Sequence, residues 1–458
     1  MIRLQTALFL VGCLFLLTAF AEDSGSPDAT GGGGAAAGGG QDNTPVAAPA
    51  PPAAPIILPG AYGNSAIVVT PGQGRFAKPP YSFTFSLQQG FDTNTYTSST
   101  NAIASAVTNL QLSYEMQSAN PRTVYTVDAQ FGLMDYWNRP GSNPLDYSGN
   151  LSILLFHRFS PRLNISGVIN ASYLTQPNFA AQNSPVSTTS GNYILLNDRI
   201  NLSYLWTSRI QTNTSYSLAS TLYQEQKSQR GDLYDSTLGN EFRFLLTPRT
   251  TFVIEGRANS TTYPNQPGGD SMSYFLLMGG DYSFSSRLNS TLRLGDEIRE
   301  FNIGGSQSSP YGEFTSTYIY GHQSTLSWNN RFGMDDSSQQ TQKITSFRTG
   351  LSLNHVLTAK ITGILGLNYN RTDTTTGSQT VIAPNIDPSS PFYGYLFPQT
   401  FPGVTQIQNQ FSGNVGLRFN VNQRISLNIN YTLTQVTGMP ASVNYFRQQI
   451  FLGGSYTF

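Results

Sequence analysis

Asn422-Gln423-Arg424-Ile425-Ser426-Leu427-Asn428-Ile429-Asn430-Tyr431-Thr432-Leu433-Thr434 carries the pattern on which most of this chain is built. Three polar residues make a tight turn, and strict alternation follows. Ile425, Leu427, Ile429, Tyr431 and Leu433 fall on one face, with Ser426, Asn428, Asn430, Thr432 and Thr434 on the other. Successive side chains of an extended chain point to opposite faces, so the segment reads as a strand with one apolar and one polar surface. Leu163, Ile165, Gly167, Ile169, Ala171 and Tyr173 repeat the pattern against Asn164, Ser166, Asn170 and Ser172. Alternation alone fits a soluble sandwich as well as a membrane barrel, so the surrounding sequence has to decide.

The turn recurs. It is found at Asn120-Pro121-Arg122, Ser160-Pro161-Arg162, Thr207-Ser208-Arg209, Thr247-Pro248-Arg249, Ser285-Ser286-Arg287 and Thr358-Ala359-Lys360, with a degenerate copy at Gly321-His322-Gln323. Most neighbouring copies lie 36 to 40 residues apart, and two longer gaps mark longer loops. Each interval holds two strands of about 13 residues, whereas a propeller blade would hold four short ones. About 10 tilted residues cross a bilayer, so these strands are long enough. The opposite connections, such as Gln176–Thr189 and Thr372–Gln408, are longer and polar. Short turns at one rim and long loops at the other are the asymmetry of an outer-membrane barrel, with the short turns periplasmic. One strand on each side of eight turns, a first strand from about Tyr81 and a last one ending at Phe458 give about eighteen. The expected fold is therefore all-β: a transmembrane antiparallel up-and-down barrel over residues 81–458, in the outer membrane of a Gram-negative bacterium.

Both ends of the chain agree with that reading. Tyr456-Thr457-Phe458 looks like the signal read by the barrel assembly machinery, with Tyr456 and Phe458 at the periplasmic aromatic girdle. Residues 1–21 read as a signal peptide, with Arg3, an apolar run to Phe20 and an Ala19-Phe20-Ala21 cleavage site. Leu10-Val11-Gly12-Cys13 also has the form of a lipoprotein box, but too few apolar residues precede it. Residues 22–80 read as a low-complexity periplasmic linker, with only Gly and Ala from Gly31 to Gly40 and a Pro/Ala-rich run from Pro45 to Pro55. Residues 56–78 folded back into the lumen are the alternative.

The chain has 25 basic and 25 acidic residues and only 11% charge, against a globular norm of about 25%. Zero formal net charge argues against nucleic acid as a partner. The three histidines, His157, His322 and His355, all lie near short turns, which gives outer-rim Ser/His hydrolysis nothing to work with. No catalytic residue, metal site or cofactor is expected; Asp335-Asp336 is the weak exception, as a Ca²⁺ site needs six to eight oxygens.

Projected onto the alternation, Glu115, Asp128, Arg199, Glu241, Arg243, Glu255, Arg257, Arg293, Glu297, Arg299, Arg331, Arg348 and Arg418 fall on the polar, lumen-facing phase. They are the candidate pore-lining set. A basic residue facing lipid near the midplane would cost about 2–4 kcal/mol, which supports this register. Asp198 and Asp296 fall on the wrong phase, as though displaced by a bulge or raised above the membrane. The lumen charges either form opposed basic and acidic walls that set up a transverse field, or pair with one another and brace the wall.

The turn in its clearest form, Leu246-Thr247-Pro248-Arg249-Thr250-Thr251, resembles the beta-barrel porin 2 family of Gram-negative outer-membrane proteins over roughly residues 81–458. That resemblance implies a porin-like channel, and some relatives sit with exopolysaccharide secretion systems. Passive diffusion of small polar solutes, export of an anionic exopolysaccharide along the arginines, and a closed structural or adhesive barrel all remain open. Residues 22–80 are too few for a lumen-filling plug. The Thr372–Gln408 span, rich in Pro and aromatics, constricts the pore if folded inward and forms a cap if folded outward. Partners expected from location are outer-membrane lipid and lipopolysaccharide, with the oligomeric state open.

Overall fold

The computed structural model describes residues 56–57, 68–69, 81–140, 143–175, 192–224, 232–266, 268–302, 305–321, 324–335, 342–376, 379–384, 396–401, 403–438 and 444–458. Among them, eighteen antiparallel strands close into one barrel. They are β1 (Tyr81–Asp92), β2 (Ser105–Ala119), β3 (Thr123–Tyr136), β4 (Leu145–Arg158), β5 (Leu163–Leu174) and β6 (Tyr193–Leu205). Next come β7 (Ile210–Tyr223), β8 (Leu233–Thr247), β9 (Thr250–Thr262), β10 (Ser271–Ser283), β11 (Leu288–Phe301) and β12 (Ser306–Tyr320). The last six are β13 (Ser324–Met334), β14 (Gln342–Val356), β15 (Ile361–Thr376), β16 (Thr405–Asn420), β17 (Ile425–Gly438) and β18 (Tyr445–Thr457). Each pairs with its neighbours in sequence, and β18 closes on β1 from Gln449–Asp92 to Thr457–Thr84. Closure removes the edges that would otherwise leave unpaired backbone groups in lipid.

The recurring turn has a local cause. In five of its copies the first residue accepts hydrogen bonds from the backbone N–H groups two and three residues on. Ser160 Oγ accepts from Arg162 and Leu163 at 3.2 and 3.0 Å, and Thr358 Oγ1 from Lys360 and Ile361 at 3.2 and 3.1 Å. Asn422 Oδ1 does the same for Arg424 and Ile425, both at 2.8 Å. The side chain satisfies amides that the hairpin bend would leave open, which is why Ser, Thr or Asn opens every copy but the degenerate one at Gly321. The basic third residue is exposed at the rim at Arg122, Arg162, Arg209, Arg249, Arg287, Lys360 and Arg424.

Before some of these turns, and at the end of β18, the outward face carries paired aromatic rings two residues apart. Tyr204 and Trp206 lie 4.7 Å apart between ring centres, Tyr282 and Phe284 4.5 Å, and Tyr456 and Phe458 4.8 Å. Tyr456-Thr457-Phe458 thus has the geometry of the internal strand ends. The rings form an interfacial girdle at the short-turn rim, as amphipathic aromatics do at a membrane boundary. Above it the same face exposes large apolar side chains, among them Leu276 at 70% and Leu452 at 63%.

Three sequence-based expectations need correction or comment. Asp198 is not displaced by a bulge: β6 runs in continuous register with both neighbours, and Asp198 faces outward opposite Ile169 and Leu218. Its carboxylate accepts the Asn170 N–H at 3.2 Å, so a backbone donor takes the place of water. Asp296 also faces outward without a bulge, opposite Leu276 and Pro310. The span Thr372–Gln408 is not all loop. Thr372–Thr376 and Thr405–Gln408 pair within β15 and β16, because β-branched Thr suits a strand. Between them, Gln379–Pro384 pairs with Leu396–Phe401 as a separate hairpin.

In the expected linker, Ile56–Ile57 pairs with Val68–Val69. The signal peptide, most of the linker, Gln176–Thr189, His322 and Asp336 lie outside the described residues.

Candidate functional site

Side chains from strands that are not neighbours in the sheet can meet only inside the barrel. Arg257 on β9 donates from Nη1 and Nη2 to both carboxylate oxygens of Glu313 on β12, each at 3.0 Å. Arg299 Nη1 on β11 donates to the backbone carbonyl of Asp335, just past β13, at 2.6 Å. These contacts fix the lumen face, and every candidate from the sequence has that phase.

Two ionic clusters fill one side of the interior. In the first, Arg243 pairs with Glu241 at 2.8 Å and with Asp281. Arg293 meets Asp281 at 2.9 Å, Glu255 at 3.7 Å and Glu241 at 3.8 Å. Arg257 spans Glu255 and Glu313. In the second, Arg299 pairs with Glu297 at 3.0 Å, while Arg331 at 2.9 Å and Arg348 both pair with Asp335. Tyr311 lies between the clusters, with the Arg257 and Arg331 guanidinium carbons 5.8 and 5.6 Å from its ring centre and Phe275 edge-on to it at 5.1 Å. Phe275, Leu277 and Tyr311 form a small apolar core within the lumen.

Burial decides what these charges can do. Glu297 is 0% exposed, Arg299 4% and Glu255 4%. Charges so far from water persist only when paired, and removing one partner of such a pair costs about 3–5 kcal/mol. The arginines and carboxylates alternate along β8–β14, so the walls are not opposed and basic against acidic. Asp335 belongs to two arginines, which leaves it little to offer Ca²⁺. No group of three or more metal-binding side chains occurs among the described residues. The first cluster forms one wall of a cavity of about 530 Å³ that opens toward the short-turn rim and reaches from Arg158 on β4 to Thr317 on β12.

The other candidates lie apart. Arg199 Nε donates to Asn201 Oδ1 at 3.2 Å on the wall of that cavity. Glu115 and Asp128 face each other in register on β2 and β3, and Arg418 is exposed near the short-turn end of β16.

From β15 through β18 to β3 the lumen face is made chiefly of neutral polar side chains and glycine. Amides lie across glycines of the adjacent strand: Asn368 over Gly350, Asn414 over Gly366, Asn430 over Gly416 and Gln88 over Gly453. Asn430 Oδ1 stands 2.6 Å from where a Gly416 Cβ would be, so an added side chain would have to displace the amide. The Phe451 ring covers Gly90 in the same way. Gln88 Nε2 donates to Asn428 Oδ1 at 3.4 Å, and Asn109 Nδ2 donates to Gln88 Oε1 at 3.3 Å.

Several lumen residues were missed by the sequence reading. Asp281 and Glu313 complete the first cluster, and both carry the lumen phase. Arg447 Nε lies 3.1 and 3.0 Å from the two Asp92 carboxylate oxygens, tying β18 to β1 beside the closing seam. Arg139, which pairs with Asp146 at 2.8 Å, stacks over Tyr136 at 4.7 Å near the same rim. The period-two signal was present for Asp281, Glu313, Asp92 and Arg447. His157 bonds Thr123 Oγ1 at 2.8 Å, and His355 lies 3.1 Å from the Tyr320 hydroxyl and 3.3 Å from that of Ser324.

No protein-family model and no curated protein sequence matches this chain. Among solved structures it is similar to a mutant of the ferric enterobactin receptor of Pseudomonas aeruginosa, with 10% identity, a TM-score of 0.42 and coverage of 87% of this chain and 83% of that one. It is similar to the FrpB iron transporter from Neisseria meningitidis, with 9% identity, a TM-score of 0.40 and coverage of 83% and 82%. The outer membrane protein OpdK from Pseudomonas aeruginosa gives 9% identity, a TM-score of 0.39 and coverage of 82% and 99%. The chain's own closed sheet, outward apolar surface and aromatic rim make it an outer-membrane β-barrel.

Proposed function

We propose that the barrel is a porin-like channel for passive diffusion of small polar solutes across the outer membrane. The observation that carries this reading is the wet state of the lumen face along β15–β3. There Asn368, Asn414, Arg418, Glu115, Gln117 and Gln130 are exposed although they point inward, and Ile364 is 45% exposed. Side chains of a filled interior would be buried, as Glu255, Leu277, Glu297, Arg299 and Tyr311 are on β9–β12. The resemblance of the short turn to beta-barrel porin 2 proteins supports the same reading. Export of an anionic polysaccharide is less supported, because Arg243, Arg257, Arg293, Arg299, Arg331 and Arg348 already hold carboxylates.

In this reading residues 1–21 direct export and are removed, and residues 22–80 form a periplasmic tether. Tyr456 and Phe458 serve the assembly machinery. The test is single-channel conductance of the refolded protein in a planar bilayer. Steady open steps are expected, and silence from a barrel shown to be folded would overturn the channel.

A further inference from the structure

The lumen is divided lengthwise, and the two sides offer a solute different chemistry. Along β8–β14 the interior is occupied by ion pairs and by the Phe275–Leu277–Tyr311 core. Along β15–β1 the mid-depth wall presents amides laid flat over glycines, with two apolar steps. Ile364, Gly416, Asn430 and Phe451 follow one another in register across β15–β18. Over β15–β1 charge is confined to the ends, with Arg418 toward the short-turn rim and the mutually neutralised Asp92–Arg447 pair toward the other, while Glu115 and Asp128 face each other mid-strand on β2 and β3.

Resting on the channel reading, we propose that β15–β1 forms an off-axis lane selective for uncharged, multiply hydroxylated solutes, that is, small saccharides and polyols. An amide donates through nitrogen and accepts through oxygen, so a row of amides matches hydroxyl groups that also do both. Exposed Ile364 and half-buried Phe451 supply apolar surface for the C–H faces of a sugar ring. Within β15–β1 a charged solute finds no countercharge at mid-depth, where leaving bulk water costs it most. Glycines beneath the amides keep the wall low, so the lane's width depends on their lacking a side chain. Neither the charge count nor the fold implies this preference. It follows from where the charges are consumed.

The test is swelling of proteoliposomes carrying the refolded full-length chain in isosmotic glucose, glucosamine and glucuronate, which match in size and differ in charge. Single-channel current is recorded in parallel, with and without maltotriose. Glucose should enter severalfold faster than either charged sugar, and maltotriose should interrupt the current. Asn430→Asp and Gln88→Glu should narrow the preference and shift the reversal potential toward cations. Robust ion conductance with equal entry of the three sugars would overturn the lane while leaving the channel intact. A folded barrel with no conductance and no swelling would overturn the channel reading, and the lane with it.

Discussion

Strands β8–β14 and strands β15–β3 wall the same lumen and resolve the problem of an inward polar face in opposite ways. On the first arc, arginines and carboxylates crowd inward and consume one another's charge, with Glu297 and Arg299 almost wholly buried. Its most buried members, Glu255, Glu297 and Arg299, have to be matched in charge sign, because an unmatched one there would have little water to replace its partner. On the second arc, amides, hydroxyls and glycines stay low and leave water in place. Neutral groups need no partner there, since solvent supplies one. An abundance of lumen arginine therefore does not by itself mark a selectivity filter. What marks the path is which inward side chains remain accessible.

Substitution of a buried partner should separate the arcs most sharply. Asp335→Ala leaves Arg331 and Arg348 without their carboxylate and should cost about 3–5 kcal/mol. That loss would be read from the denaturant midpoint of the refolded barrel. Asn414→Ala on the wet arc should cost under about 1 kcal/mol in the same assay. Equal losses would erase the distinction.

Outside the lumen, Asp198→Leu places an apolar side chain where β6 faces outward. It should stabilise the barrel by on the order of 1 kcal/mol, since an outward acid costs less than the basic residues for which 2–4 is typical. A loss of stability would mean that Asp198 is held by something other than the Asn170 amide. The smallest effect is expected at the rim. Ser285→Ala removes the oxygen that accepts from Arg287 and Leu288 at 3.2 and 3.1 Å, and should cost about 0.5–1.5 kcal/mol. Conductance should be unchanged, because both arcs start beyond the turn. A change in conductance would tie the rim to the lane and weaken the division between the arcs.

The barrel was legible in the sequence because its determinants are local. Alternation set which side chains share a face, and the Ser/Thr/Asn-x-Arg/Lys turn set where strands reverse. The spacing of those turns led to eighteen strands beginning near Tyr81, and eighteen close the barrel. Where local composition misled, pairing overrode it: Thr372–Thr376 reads as loop, yet it is strand because β14 and β16 flank it on both sides. The outward phase of Asp198 was read correctly. Its remedy, a backbone N–H on β5, could not be seen from β6 alone.

By itself, then, the sequence determined strand identity, turn chemistry, the two faces and the inward phase of the charged residues, since each depends on neighbours a few positions apart. Only the tertiary structure decided that Arg257 on β9 reaches Glu313 on β12, that Asp335 is claimed by Arg331 and Arg348, and that Asn430 lies over Gly416. Those outcomes depend on closure. Bending the sheet into a barrel makes inward side chains of separate strands converge, and the volume left after they meet decides where water and solute can pass.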